Sequence, residues 1–190
     1  RDSLVFEMSQ RAGTYELPED AYPMLALYEE LYRITNGSMT LLIGQVLAAA
    51  GYDADYSLRP GHLQKPLPWE EVIVYDRQKI TLAKPALLDF GACGKGYLVD
   101  IVADMFRRDG VGSFCIDAGG DIVYEDRQRR MLSVGLEDPQ DSEKVVGIVP
   151  LLDQSMCGSS GNRRTWGDFH HIIDAETLQS PKHISAVWVV

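Results

Sequence analysis

A glycine-rich run around one lysine is the segment of this chain best suited to bind an anion. Gly91, Gly94 and Gly96 surround Lys95, directly after the strand-like segment 87–90, and a helical pattern follows. Glycines let the backbone approach a ligand, and the first turn of a helix presents unpaired N–H groups and the positive end of its dipole. The spacing fits neither G-x-x-x-x-G-K-[ST] nor G-x-G-x-x-G. This feature alone leaves phosphate binding and plain packing of a strand–helix connection equally open.

A second glycine turn spans Asp117 to Asp121, with the sequence D-A-G-G-D. Such a turn can expose backbone amides to a ligand, but it can equally well join two strands. The segment G-S-S-G at 158–161 is one residue too short for the nucleophile elbow G-x-S-x-G. Serine hydrolysis is therefore not supported.

Two adjacent histidines, His170 and His171, precede the apolar pair 172–173 and Asp174. Neighbouring residues of a strand point to opposite faces, so at most one of the two histidines reaches a given site. That disfavours a double-histidine metal site. A single histidine near a carboxylate can act as a general base or orient a substrate, whereas a hydrogen-bonded structural histidine is the simpler alternative.

The composition limits which partners the chain can have. Its 190 residues carry 28 acidic and 18 basic side chains, for a net charge of −10, so nucleic acid is a poor candidate partner. A polyanion would need local amides, single lysines or a metal ion. The three cysteines show no C-x-x-C spacing, and we expect free thiols. No apolar run is long enough to span a membrane, so we expect membrane association only through an anchor that the chain does not show.

The elements that must position these residues follow from hydrophobic periodicity. We expect a helix over 17–35, with Pro23 in its first turn, and another ending at Arg108. The residues expected to face the core are Met24, Leu27, Tyr28, Leu31 and Tyr32 in the first helix, and Leu98, Ile101, Val102, Met105 and Phe106 in the second. Short strands are expected at 71–75, 80–82, 87–90, 111–116, 122–124 in a hairpin with 131–136, 145–152, 172–173 and 184–190. Hairpins outnumber crossovers, which predicts an α+β (mixed-sheet α/β) fold, with mixed or antiparallel sheets and flanking helices, in a single domain over residues 1–190.

The order of these segments resembles the ApbE family. Residues 88–97 with Asp100 resemble its motif D-L-G-x-x-A-K-G-Y-x-x-D, and Ala118 to Asp121 match its A-G-G-D. The remaining matches are 135–139 with V-G-I-x-D-P, 159–161 with T-S-G, 171–174 with the start of H-I-I-D-P, and 36–40 in the place of G-A-F-D. Motifs in register across most of the chain make chance similarity a poor explanation.

The resemblance implies an FAD:protein FMN transferase. Such an enzyme cleaves FAD at its pyrophosphate and attaches FMN through a phosphoester to a threonine or serine of a target flavoprotein. It implies FAD as substrate, Mg²⁺ as cofactor and the flavoprotein as partner. It also implies a periplasmic or membrane-anchored lipoprotein, while the residues leave a cytoplasmic location open.

The resemblance also implies roles for individual residues, carried over by position. Ala92 would bind Mg²⁺ through its main-chain carbonyl, and His171 would activate the acceptor hydroxyl. The residues implied to line the flavin cleft or contact FAD are Ser38, Met39, Thr40, Asp89, Lys95 and Ile173.

The chain departs from the family pattern at several positions. Thr40 stands where the family has aspartate, and A-E-T-L-Q-S at 175–180 replaces P-x-T-G-x-P. The family's N-terminal strand, its flavin-stacking aromatic residue and its A-D-A-x-x-T metal-ligand motif are not among residues 1–190. Two alternatives therefore stay open: an FAD pyrophosphatase that releases FMN and AMP, and a catalytically degenerate flavin-binding module.

Overall fold

The computed structural model describes residues 3–190, which form two compact units. The first comprises the described chain up to Phe90 together with Thr165–Pro181, and the second comprises Gly91–Arg164 and Lys182–Val190. Arg1 and Asp2, which begin the predicted 1–190 domain, lie outside the described residues. Among residues 3–190, no helix combines the length and apolar character needed to cross a lipid bilayer.

Helices and antiparallel strands follow one another along the described chain. The helices are α1 (Leu4–Gln10), α2 (Ala21–Ile34), a 3₁₀ helix (Leu41–Ile43), α3 (Gly44–Ala49), α4 (Trp69–Val72) and α5 (Gly94–Arg108). The strands are β1 (Gly13–Glu16), β2 (Ile73–Tyr75), β3 (Lys79–Leu82), β4 (Ser113–Asp117), β5 (Asp121–Asp126), β6 (Leu132–Asp138), β7 (Asp141–Leu151), β8 (Gln154–Ser160), β9 (Thr165–Trp166), β10 (Phe169–His170) and β11 (Ala186–Val189). The predicted α+β fold is confirmed.

The first unit contains a three-stranded sheet in the order β1-β3-β2 and the short pair β10-β9. Pro23 lies in the first turn of α2, as expected, where the missing N–H has no intrahelical partner to lose. The predicted core face of α2 is partly wrong, because Leu25 and Tyr28 are buried while Leu27 is 40% exposed. Leu25 lies next to the predicted apolar stripe. The helical period of 3.6 residues is consistent with either of two adjacent faces being buried, and tertiary packing decides which one is.

The strand predicted at 87–90 is absent from the described structure, and so is the one at 172–173. Residues 85–90 run as an irregular segment whose N–H groups bond singly to other elements: Ala86 donates to the Met8 carbonyl at 3.0 Å, and Asp89 to the Leu41 carbonyl at 2.9 Å. These partners lie in or beside helices, so no ladder forms. The mainly apolar character of 87–90 correctly indicated that Leu88 is buried. It wrongly indicated that the segment pairs as a strand, because buried irregular segments share that composition.

The second unit contains a four-stranded sheet in the order β11-β8-β5-β4 and the two-stranded sheet β6-β7. The predicted hairpin between 122–124 and 131–136 is wrong, because β5 pairs with β4 and β8, whereas β6 pairs with β7. Apolar residues of β6 instead pack in one cluster with Ile122, Leu151 and Met156. The two segments meet through side chains rather than through backbone hydrogen bonds.

Helix α5 ends at Arg108 as predicted, but its core face is rotated. Val99 and Ala103 are buried against Val123 of β5, whereas Leu98 and Met105 are 58% and 49% exposed. Small Ala103 fits close to the sheet, where the longer side chains of the predicted stripe would not.

Asp126 organises the turn after β5 and gives a testable pH dependence. Its carboxylate accepts hydrogen bonds from the Arg130 side chain (2.7 Å), the Ser113 hydroxyl (2.8 Å) and the Arg130 N–H (3.0 Å). The Arg130 guanidinium, aided by Ser113, holds the pKa of this carboxyl below its ordinary value although burial opposes the shift. A lowered folded-state pKa means that the carboxylate contributes stability above the unfolded-state pKa of about 4, which is lost as the pH falls through the folded-state value.

We therefore expect Asp126→Asn to have a lower free energy of unfolding than the wild type at pH 7. This difference should shrink as the pH falls below about 4, because the wild-type carboxylate is then protonated. Urea unfolding of the wild type and the variant across this pH range measures the difference. Asp109→Asn, at an exposed position of the same unit, is the control. A deficit that stayed constant with pH would show that the Asp126 charge is not what stabilises the turn.

Candidate functional site

Three chain segments that carry predicted site residues meet in the first unit. The Ala175 N–H donates to the Ser38 carbonyl at 3.1 Å, which joins residues 38–42 to the segment that follows His171. The bond from Asp89 to the Leu41 carbonyl adds the irregular segment at 85–90. Ser38, Asp89 and the His171 segment are thus brought together, although they are far apart in sequence.

Asp174 stabilises the turn at the point where these segments meet. Its Oδ1 accepts the N–H groups of Glu176 (2.8 Å) and Thr177 (2.9 Å) and so closes a tight turn. Burial acts to raise the pKa of Asp174, but these backbone donors and the Ser38 hydroxyl outweigh it and hold the pKa below its ordinary value. Asp174 is therefore a carboxylate at neutral pH. The sequence indicated Asp174 only as a carboxylate near a histidine, and its position at the end of H-I-I-D was the available signal.

The departures at 175–180 have local physical consequences. A proline at 175, as in the family pattern, has no N–H, so the bond from Ala175 to the Ser38 carbonyl is available only because alanine stands there. Leu178 occupies the position of the pattern's glycine with φ 58°, a left-handed conformation that is strained for leucine. Leu178 packs against the core cluster that contains Val46 and Trp166.

Thr40 and Met39 take backbone roles in the same place. Thr40 is 4% exposed, and its hydroxyl accepts the Leu42 N–H at 3.2 Å at the start of the 3₁₀ helix. Threonine and aspartate are both good caps, so the departure from the family's aspartate preserves this function. The Met39 N–H donates to the Thr35 hydroxyl at 3.1 Å. The predicted contacts of both residues with FAD stay predictions.

His171 and Ile173 lie beside a stack of aromatic rings. Ile173 is 7% exposed and belongs to the core cluster with Val46, Leu47, Ala50 and Trp166. The half-buried His171 ring lies 6.4 Å from the ring of Tyr52, between centroids, and its Nδ1 atom is buried. The rings of Tyr52, Trp166 and Phe169 stack in series, with centroids 5.7 and 6.2 Å apart. The predicted catalytic histidine therefore lies against the packed core of the first unit.

In the second unit the glycine-rich bend leads directly into α5, which begins at Gly94. Ala92 is exposed, and the Lys95 side chain is 53% exposed. The Lys95 Nζ lies 3.1 Å from Asp121 Oδ2 and 3.4 Å from the Ala118 carbonyl oxygen. An ammonium group has three donors, so these two contacts leave Lys95 able to reach an anion as well. Asp121 is a partner that sequence reasoning did not identify.

The turn from Asp117 to Asp121 joins β4 to β5. Asp117 Oδ1 accepts the N–H groups of Gly119 (2.8 Å) and Gly120 (3.0 Å), and the Ala118 N–H donates to the Asp121 carbonyl at 2.9 Å. These amides are bound by the chain's own carboxylate and carbonyl. The sequence left open whether this turn exposes its amides to a ligand or simply joins two strands. In the structure it joins two strands, and these three amides bond to the chain itself.

The donor set can be tested against magnesium. Among residues 3–190, no three histidine, cysteine, aspartate or glutamate side chains are grouped so that they could hold a metal ion. Mg²⁺ commonly takes only one or two protein oxygens and completes its octahedron with substrate phosphates and water. The carbonyl of exposed Ala92 is an oxygen ligand of the required hard type, so it suits an ion that arrives with a diphosphate.

Among the described residues, none of the three cysteines forms a disulfide. Burial, followed by the nearby Asp121 carboxylate, raises the pKa of the Cys157 thiol. A raised pKa disfavours the reactive thiolate. Cys157 is therefore poorly suited to nucleophilic chemistry.

Sequence comparison links the chain to flavin-transferring proteins. The ApbE family model matches residues 1–190. The FAD:protein FMN transferase of Haemophilus influenzae is 24% identical over 187 residues, which cover 88% of this chain and 54% of that protein. The FAD:protein FMN transferase of Treponema pallidum is 31% identical over 105 residues, covering 47% of this chain and 29% of that protein. The chain thus spans about half or less of the length of these relatives.

Solved structures share the fold. The ApbE protein of Thermotoga maritima superposes with a TM-score of 0.82 at 18% identity, over 98% of this chain and 65% of that one. The flavin transferase ApbE of Vibrio cholerae gives 0.76 at 18% identity, with the same coverage. At these identities the likeness shows the fold alone, and it agrees with the α+β architecture described above.

Proposed function

The chain belongs to the ApbE family, and from that premise we propose that it transfers the FMN half of FAD to a threonine or serine hydroxyl of a target flavoprotein. Family membership over the whole chain is the observation that carries the proposal. The names of the curated relatives, all FAD:protein FMN transferases, support the same reaction.

The proposed reaction is a phosphoryl transfer in which the acceptor oxygen attacks the FMN-side phosphorus of FAD. The new P–O bond forms as the bond to the bridging oxygen breaks, and AMP leaves. The acceptor hydroxyl loses its proton, for which His171 is the proposed base, and the displaced phosphate carries the negative charge. Little covalent chemistry falls to the protein in such transfers, so its residues mainly position and neutralise.

The positive groups at the bend suit the diphosphate. Lys95 adds a full charge beside the first turn of α5, whose N–H groups and dipole favour an anion. Mg²⁺ would add the charge neutralisation that a chain of net charge −10 has few side chains to provide. In the proposal the Ala92 carbonyl holds the ion, while Ser38, Met39, Thr40, Asp89, Lys95 and Ile173 contact FAD.

Incubating the full chain with FAD, Mg²⁺ and a threonine-bearing acceptor flavoprotein tests the proposal. We expect a covalent, fluorescent FMN adduct on the acceptor after denaturation, together with AMP. Replacing the acceptor threonine with alanine, or chelating the metal with EDTA, should abolish the adduct. AMP release without an acceptor would instead support hydrolysis, and FAD binding without turnover would support a degenerate binding module.

We expect Lys95→Ala to weaken FAD binding by about 1 to 3 kcal/mol, because a charge-assisted contact with the diphosphate is lost. The loss of stability should be modest, since the Lys95 side chain of the Lys95–Asp121 pair is 53% exposed and solvent screens its charge. Lys84→Ala is the matched control, because its side chain is equally exposed, at 53%, and is also paired with a carboxylate. Calorimetric titration of FAD into each variant measures the difference. Equal affinities for the two variants would show that Lys95 makes no energetically significant contact with FAD.

A further inference from the structure

His170 is fixed at four atoms by the chain around it. Its ring Nε2 lies 3.0 Å from the carbonyl oxygen of Pro181, and its Nδ1 lies 3.3 Å from the Ile172 backbone N. The Ser180 hydroxyl accepts the His170 N–H at 2.9 Å and donates to the His170 carbonyl oxygen at 3.0 Å. Ser180 is 5% exposed, so its two bonds to the His170 backbone are partly shielded from water. His170 thereby ties residues 180–181 to residues 170–172.

The partners of the ring select one protonation state. A backbone N–H can only donate, so the Nδ1 atom that faces Ile172 must present a lone pair. A carbonyl oxygen can only accept, so the Nε2 atom that faces Pro181 must carry the proton. Both requirements are met by the same neutral tautomer, and by no other state of the ring.

Between the two anchored residues lies His171. The His170 backbone is held by Ser180, and the peptide N–H of Ile172 is held by the His170 ring. The peptide groups on both sides of His171 are therefore fixed, and its ring retains only its side-chain rotations. The neighbouring Tyr52 ring, 6.4 Å away between centroids, limits those rotations.

We propose that His170 is a positioning residue, which in its neutral Nε2–H tautomer aims the His171 ring at the acceptor hydroxyl. The inference rests on the proposed function, in which His171 receives the proton of that hydroxyl. A base must lie within hydrogen-bond reach of the proton that it takes, and small displacements of reacting groups lower the rate strongly. The adjacent histidines thus have separate tasks, one in the scaffold and one in the chemistry.

Three substitutions separate the two bonds of the ring. His170→Ala removes both. His170→Asn keeps an acceptor close to the place of Nδ1, and His170→Gln keeps a donor close to the place of Nε2. We expect His170→Ala to lower kcat roughly tenfold or more with the KM for FAD unchanged, because the base is misplaced while the FAD contacts remain. His170→Asn should recover most of the loss, since it keeps the bond to Ile172. His62→Ala, at an exposed histidine of the same unit, is the control and should keep the wild-type kcat.

Nuclear magnetic resonance tests the tautomer and the anchor without any activity. The ¹⁵N shifts of the His170 ring should report a protonated Nε2 and a bare Nδ1 at neutral pH, and the Ile172 amide should exchange faster in His170→Ala. A protonated Nδ1, an unchanged exchange rate or a full kcat in His170→Ala would each overturn the inference. If the wild type transfers no FMN while the tautomer and the exchange are as expected, the proposed function fails and the anchoring of Ile172 stands.

Discussion

Replacing His171 with alanine is expected to lower the kcat of FMN transfer by roughly 10²- to 10⁴-fold, the range typical for loss of a general base. The half-buried ring is mounted beside the Tyr52 and Trp166 stack, with its Nδ1 atom buried. The KM for FAD should change little, because the proposed FAD contacts lie in other residues.

The shape of the loss distinguishes a base from a binding residue. Loss of a group that acts only in the transition state lowers kcat and kcat/KM equally, whereas loss of a binding contact raises KM. Measurements of the rate of adduct formation at saturating acceptor and varied FAD concentration provide this split. Imidazole, added as an external base that can take the proton of the acceptor hydroxyl, should restore part of the rate of adduct formation in His171→Ala. A variant with raised KM and unchanged kcat would show that His171 binds FAD instead.

Stability must be controlled in the same experiment. His171 adjoins a buried cluster, so an unfolded variant would also lose activity. The thermal midpoint of His171→Ala should remain close to that of His62→Ala, and its FAD affinity should match the wild type. A collapse of the midpoint would assign the loss to folding.

The long helices could be predicted from the sequence, because each carries an apolar stripe and a terminal signal. Asn36-Gly37 follows the end of α2, and Gly110 follows the end of α5. Their buried faces were harder to predict. Leu25 and Val99 each stand beside the expected stripe, and only contact with the sheet or a neighbouring helix decides between adjacent faces.

Strand pairing was the least predictable feature. The segment 87–90 has the mainly apolar composition of a short strand, but the Asp89 N–H bonds to Leu41 at the start of a 3₁₀ helix. Likewise β5 and β6 are neighbours in sequence and pair with other strands, because the turn built on Asp126 leads the chain out of the sheet. Such outcomes depend on partners that are remote in sequence, and local patterns do not report them.

For the candidate site, the motifs identified residues and the structure supplied their partners. The pairings of Ser38 with Asp174 and of Lys95 with Asp121 join separate segments of the chain. Composition and spacing predict the chemistry that a side chain can perform, whereas the orientation of that side chain depends on these partners. The His170 ring is the clearest case, because only the structure shows that both of its nitrogens face main-chain partners.

Trp166→Ala should cost the first unit about 3 to 5 kcal/mol of unfolding free energy, as is usual when a buried tryptophan is truncated. Trp166 is 7% exposed and stacks on both Tyr52 and Phe169. Its indole N–H donates to the Ala50 carbonyl at 2.7 Å, at the end of α3 where a helix leaves carbonyls without intrahelical partners. The side chain therefore anchors the β9-β10 segment to α3.

Two further variants divide this loss into packing and hydrogen bonding. Trp166→Phe keeps an aromatic ring and leaves the buried Ala50 carbonyl without its donor, for an expected cost of about 1 to 3 kcal/mol. Ile34→Ala, at a side chain that is 60% exposed, should change stability by about 0.5 kcal/mol or less. Urea unfolding followed by circular dichroism avoids a fluorescence signal that the substitutions themselves remove.

Trp166→Ala should also increase the local mobility of the residues proposed to act in FMN transfer. Trp166 and Ile173 share one core cluster, and His171 lies two residues before Ile173. Loss of the indole should speed hydrogen exchange at 171–174 more than in α2, which packs elsewhere in the unit. Equal acceleration in both places would indicate global destabilisation only. A local acceleration, with kcat falling further than the unfolded fraction explains, would show that this ring supports the geometry of His171 as well as the fold.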